Sequence, residues 1–208
     1  MSSNRSKRFL APLFAVVVAS IAPTTANAAG VIFNNIFANS GGADSFTLFG
    51  PLAQSFIASG TVLTDVKLRL EGDNQTSGSI TVQLFDDNGG PSPGTLVGTV
   101  GNLSDSFLTN PSSIFDFPVS LPIISGARYW IQVTASGGSS AAWSTDIDYN
   151  GTGVPGEYIL NSGTVYDIVN EVGVAYQMQL SSIPEPATLA LMSLGLVGLG
   201  FGKRRKLF

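Results

Sequence analysis

Asp146-Ile147-Asp148-Tyr149-Asn150-Gly151, closed six residues later by Glu157, sets oxygen-bearing side chains at positions one, three, five and twelve of a loop, with glycine at six. This is the spacing with which an EF-hand loop wraps calcium: the glycine permits the sharp turn and the glutamate completes the shell. Thr152 would add its backbone carbonyl at position seven. The flanks argue the other way. Gly153 stands where paired loops carry an apolar residue, Val154-Pro155-Gly156 precedes the glutamate, and neither side reads as an amphipathic helix. The competing reading is an acidic surface loop between Trp143 and a Tyr158-Ile159-Leu160 strand. Asp146, Asp148, Asn150 and Glu157 are thus the candidate metal ligands and Ca2+ the one candidate cofactor. The expectation is that the match is an accident of an acidic, glycine-rich sequence.

Other chemistry is thinner. The 208 residues contain no cysteine and no histidine, which removes thiol catalysis, Cys/His zinc sites, disulfides and any imidazole base. Glu71, Glu157 and Glu171, with ten aspartates between residues 29 and 182, offer carboxylates, but nothing in their spacing pairs two of them as a glycosidase needs. Asp86-Asp87-Asn88-Gly89-Gly90 reads as the tight turn of a hairpin. Trp130, Trp143, Tyr149 and Tyr158 are the aromatics from which a sugar platform would be built, although a strand of a sandwich more readily buries such a Trp. No catalytic residue is assigned, and no enzymatic activity is expected.

These residues must be positioned by strands. Val66, Leu68 and Leu70 alternate with Lys67, Arg69 and Glu71; Ile80, Val82 and Leu84 with Thr81, Gln83 and Phe85; Phe115, Phe117, Val119 and Leu121 with Asp116, Pro118 and Ser120. The same period of two runs through Tyr129, Ile131 and Val133, and through Val174, Tyr176, Met178 and Leu180. It marks half-buried strands. Asn88-Gly89-Gly90-Pro91, Pro93-Gly94, Ser136-Gly137-Gly138 and Asn150-Gly151 punctuate them as turns. The expected fold is all-β: an antiparallel two-sheet sandwich of eight or nine strands, jelly-roll-like. Val66, Leu68, Leu70, Ile80, Val82, Leu84, Ile131 and Val133 should share one interior.

Both ends of the chain read differently from its middle. Arg5, Lys7 and Arg8 precede an uncharged, mostly apolar stretch, residues 9–22, and Ala26-Asn27-Ala28 supplies a small-x-small pattern. Residues 1–28 are therefore expected to be a secretory signal peptide, forming a helix and cut by signal peptidase between Ala28 and Ala29. At the other end, Pro184-Glu185-Pro186 is followed by an uncharged stretch, residues 187–202, and then by Lys203-Arg204-Arg205-Lys206. Sixteen helical residues reach about 24 Å, enough for a single transmembrane helix where the bilayer thins or basic side chains snorkel. The four cations should hold its end in the cytoplasm.

The order Pro-Glu-Pro, apolar helix, basic cluster resembles the PEP-CTERM sorting signal of bacterial surface proteins. That resemblance implies an exosortase as the processing partner, passage from a membrane-anchored precursor to the cell surface or extracellular matrix, and association with biofilm and extracellular polysaccharide. The domains would be a signal peptide (1–28), an extracellular β-sandwich (29–182) and a sorting signal (183–208). Ala53-Gln54-Ser55-Phe56, Leu63-Thr64-Asp65-Val66-Lys67-Leu68, Val82-Gln83-Leu84-Phe85-Asp86-Asp87, Pro93-Gly94-Thr95-Leu96 and Arg128-Tyr129-Trp130-Ile131 occur in that order. They resemble bacterial extracellular domains of the choice-of-anchor type, which implies a β-sandwich without established enzymatic activity.

Taking away both ends exposes the electrostatics of the body. Residues 29–182 keep Lys67, Arg69 and Arg128 against thirteen acids, a formal charge of −10, whereas the whole chain carries −4. Such a body is not expected to bind nucleic acid. Its expected role is structural or adhesive, with a carbohydrate- or calcium-binding module as the alternative.

Overall fold

A computed structural model of the chain describes residues 29–73, 77–149, 151–172 and 174–184. Alternation of apolar and polar residues is translated directly into two antiparallel sheets. One contains β1 (Gly30–Asn34), β2 (Ser40–Ser45), β4 (Val62–Glu71), β7 (Ser113–Pro122), β9 (Ala142–Asp146), β12 (Ala175–Tyr176) and β13 (Met178–Ile183). The other contains β3 (Leu52–Ile57), β5 (Ser79–Asp87), β6 (Pro93–Ser104), β8 (Arg128–Ser136), β10 (Tyr158–Asn161) and β11 (Thr164–Asp167). Thirteen strands among the described residues exceed the eight or nine expected, because β1, β2 and β6 lack a clean apolar alternation.

The first sheet runs β1-β13-β4-β9-β12, with β7 on β4 and β2 on β9; the second runs β11-β10-β3-β8-β5-β6. Val66, Leu68 and Leu70 of β4 meet Ile80, Val82 and Leu84 of β5 and Ile131 and Val133 of β8 in a single core, as expected, and all eight are fully buried. Each such side chain is worth roughly 1.5–3 kcal/mol relative to exposure. A one-residue slip of β4 would turn Lys67 inward, so the register is strongly set. Lys67 instead lies on the outer face, 3.3 Å from Asp65 and 3.1 Å from Asp116, its partner on β7.

Three local features depart from the sequence expectation. Pro93-Gly94 does not stop a strand but begins β6, whose Pro93 faces Asp87 of β5. β6 packs unusually close to β7 of the other sheet. A Cβ on Gly98 would stand 2.6 Å from Leu121 Cδ2, and one on Gly101 2.6 Å from Phe117 Cδ1. The two glycines are thus receptacles for edge-strand side chains, which explains why β6 lacks an apolar run of its own. In β9 every residue is buried: β2 pairs along one of its edges, and the segment after β1 closes on Asp146 through Asn35.

Among the described residues no helix is long and apolar enough to cross a membrane. The expected signal helix in residues 1–28 and the transmembrane helix at 187–202 lie outside the described residues. The last strand runs to Ile183, one residue past the expected end of the body.

Candidate functional site

The twelve-residue acidic loop leaves the first sheet at Asp146 and enters the second at Tyr158. Asp146 is not on an exposed loop: it ends β9 and is fully buried. Its Oδ1 accepts the backbone N–H groups of Asp148 (2.8 Å) and Tyr149 (3.3 Å), and its Oδ2 accepts Asn35 Nδ2–H (3.2 Å). This is a turn closed on a carboxylate and braced by the segment that follows β1. Asp148 Oδ2 accepts from Asn39 Nδ2 at 2.7 Å. Gly151 meets that same region, since a Cβ there would come within 2.3 Å of the Asn34 carbonyl. Asn34 and Thr152 exchange backbone hydrogen bonds of 2.9 and 3.1 Å across this contact. Asn150 lies outside the described residues.

Glu157 belongs to different surroundings. Its Oε2 accepts from Ser55 Oγ of β3 and from Arg128 Nε of β8, the latter at 3.1 Å, although the glutamate is only 2% exposed. Burial holds its carboxyl above the ordinary carboxylate range, while the Ser55 hydroxyl and the Arg128 guanidinium pull the other way. Arg128 also donates to the Gly156 carbonyl at 3.2 Å and lies 4.9 Å from the centre of the Tyr158 ring. Ser55 Oγ in turn accepts Tyr158 N–H at 2.8 Å. Asp146 and Asp148 are therefore held by residues 35–39, and Glu157 by β3 and β8. Among the described residues no three acidic side chains form a group that could hold a metal ion.

The aromatic candidates are similarly committed. Trp130 and Trp143 are fully buried. Trp130 Nε1 donates to Asp87 Oδ1 (3.0 Å), and Trp143 Nε1 to the Gln177 carbonyl (3.0 Å) while its ring stacks 4.7 Å from Tyr176. Neither offers a face to a ligand. Tyr149 and Tyr158 are half-buried. Asp86 accepts Thr95 N–H, and Asn88 bonds Ser92 at 3.0 Å, so the second acidic turn closes the β5–β6 hairpin. Glu171 Oε2 accepts Asp167 N–H at 2.7 Å, and Glu71 sits opposite Ala142 at the far end of β4.

Polar residues inside the body were not legible as a set. Asn35 bonds Asp146 and the backbone of both Tyr176 and Met178; Gln177 donates to the Ala38 carbonyl at 2.7 Å. These bonds pin the segment after β1 over β9, β12 and β13. A lone Asn or Gln in an otherwise polar stretch carries no such signal.

The first and last described strands begin and end at one pole of the body. Gly30, the first residue of β1, faces Ser182, and Ile183 faces Val62. The Ile183 carbonyl accepts Thr61 N–H at 2.9 Å, and the Thr61 carbonyl accepts Ile123 N–H at 3.0 Å. Pro184, which has no N–H to continue the ladder, ends the strand. Of the candidate sorting and cleavage residues, Pro184 and an exposed Ala29 stand at this pole; Ala28, Glu185 and Pro186 lie outside the described residues.

Residues 182–206 match the PEP-CTERM protein-sorting motif. No curated protein matches the chain significantly. The motif implies an exported, exosortase-sorted protein, and its first two residues are the last two of β13.

Proposed function

We propose that the chain is a non-catalytic β-sandwich delivered by exosortase to the cell surface or extracellular matrix, where it serves as a structural or adhesive component beside extracellular polysaccharide. The observation that carries this reading is the sorting motif at residues 182–206, joined without a linker to an interior strand of a two-sheet body. In this reading the apolar stretch at 187–202 is a temporary membrane anchor, signal peptidase cuts before Ala29, and exosortase removes the tail. The jelly-roll likeness and the choice-of-anchor likeness of the body belong to the same proposal. The committed side chains of Asp146, Glu157, Trp130 and Trp143 favour a scaffold over a binding module, because each already has its partners within the fold.

Mass spectrometry of the protein isolated from the matrix of its native host tests this directly. The expected mature chain begins at Ala29 and lacks residues 203–208. An intact C-terminus on the matrix-located protein would overturn the sorting reading and leave a plain membrane anchor.

A further inference from the structure

The sorting motif begins inside the body. Its first two residues, Ser182 and Ile183, are the end of β13. At Ser182 the ladder is closed on both sides, with Gly30 of β1 opposite on one edge and Leu63 of β4 on the other. Ser182 is only 1% exposed. Ile183 stands opposite Val62, and its carbonyl accepts Thr61 N–H at 2.9 Å. Two residues before it, the Ser181 carbonyl accepts from Thr64 Oγ1 at 3.1 Å. Gly60 completes this clamp by close approach: a Cβ there would stand 2.4 Å from both the Ile183 carbonyl oxygen and Ser182 Oγ. The pairing then stops, because Pro184 brings no N–H.

A peptidase takes its substrate as an extended, unpaired segment. Attack on paired residues is limited to the fraction of molecules in which they have opened. Opening β13 as far as Ser182 requires it to leave β1 and β4 together and uncovers a buried hydroxyl. The first residue free of the ladder is Pro184, and the bond that precedes it is an imide with no N–H for an enzyme to hold. A cut beyond Pro184 leaves all of these hydrogen bonds in place, whereas a cut before Ile183 removes the contact to Thr61.

We infer that exosortase acts on the closed body: it cuts C-terminal to Pro184, while Ser182 and Ile183 stay in the sheet and serve the fold instead of entering the enzyme. The inference rests on the exosortase-sorted reading proposed above. It deepens that reading by bounding the cut and by naming the state of the body that is cut.

The absence of cysteine from the chain allows the ladder to be locked without mispairing. Val62→Cys with Ile183→Cys sets two thiols at opposite positions of β4 and β13. Cα atoms of such antiparallel partners lie about 4.5–5.5 Å apart, within disulfide reach. The full chain would be produced in its native host, and mass spectrometry of the matrix-located protein would read both the cross-link and the C-terminus. The expected result is no loss of processing in the locked protein, with locked and wild-type chains both ending at Pro184 or beyond. A locked protein that keeps its tail, while wild type and the two single-cysteine variants lose theirs, overturns the inference: the enzyme then needs residues 182–183 open. A wild-type chain that has lost its tail but ends at or before Ile183 overturns it equally, and needs no variant. Should the first pair fail to cross-link or fold, Gly30→Cys with Ser182→Cys locks the other edge, where a Cβ on Gly30 meets nothing within 4 Å. An intact tail on wild-type protein overturns the sorting reading itself, and this inference with it.

Discussion

Gln54, on β3 of one sheet, accepts the backbone N–H of Tyr176, on β12 of the other, at 3.0 Å through its fully buried side chain. Sheets in a sandwich are ordinarily joined by apolar contact alone. Here one amide supplies a directional tie and satisfies a backbone donor that has left the ladder. Tyr176 itself stacks on Trp143, and its hydroxyl bonds to Asp44 and Asn161 at 3.0 Å each.

Replacing Gln54 with leucine keeps the volume but leaves that N–H unsatisfied. The expected loss is about 1–3 kcal/mol, measured by urea denaturation, with an unchanged m-value showing that the fold is otherwise intact.

Asp146 is expected to act in the fold without calcium. Asp146→Ala removes one of the acceptors of the Asn35 amide and the side-chain acceptor of the Asp148 and Tyr149 N–H groups. It should lower stability by about 2–3 kcal/mol for these lost bonds to a charged acceptor, equally with chelator and with millimolar calcium. Melting curves of the two proteins under both conditions check this. A rise in the wild-type midpoint with calcium, absent from the variant, would reinstate the metal site.

Glu157 gives the fold a pH dependence of definite sign. Its folded pKa is raised, mainly by burial, so the folded state binds its proton more tightly than the unfolded chain does. The contribution is most favourable below the ordinary glutamate pKa of about 4.3, and it declines as pH rises from there through the raised folded value. Glu157→Gln removes this titration. The midpoint of the variant relative to wild type should therefore climb between about pH 4 and pH 7, as followed by thermal melts across that range. A flat difference would mean that Arg128 and Ser55 fully offset the burial.

Gly101 tests the closeness of the two edge strands. With no Cβ to meet Phe117 Cδ1, β6 lies flush against β7. Gly101→Val should cost about 1–3 kcal/mol by overpacking, while valine at Gly90, where an added Cβ meets nothing within 4 Å, should cost far less. Denaturation midpoints of the pair decide it.

The sequence disclosed those parts of the fold whose signal is repeated along one strand. Val66, Leu68 and Leu70 announce their own strand, their face and their core partners, because burial on one side enforces alternation. β6 was concealed because its inward positions include Gly98 and Gly101, whose contribution is room for side chains written elsewhere. The cover over the end of β9 and the β12–β13 junction was concealed for a related reason: Asp146 and Gln177 bond Asn35 and Ala38 of the segment after β1, more than a hundred residues away. The acidic loop shows the limit most clearly. Its spacing matches a calcium loop residue for residue, but the orientation of Glu157 depends on Arg128 and Ser55, which the spacing does not contain. The sorting motif was legible because it is read as a linear string.

The pairing of β1 with β13 has a consequence for export. Among the described residues β1 pairs with one strand, β13, and the two lie about 150 residues apart in sequence. A chain threaded N-terminus first through a secretion channel delivers β1 early and its mate last. The first sheet cannot be completed until residue 183 has emerged, because β4 too needs β13 on one side. Closing loops of that length is slow relative to local folding. The body is thus kept from locking while the channel still holds its C-terminal portion. Completion of the sheet thus coincides with the emergence of residues 182 and 183, the first two of the sorting motif.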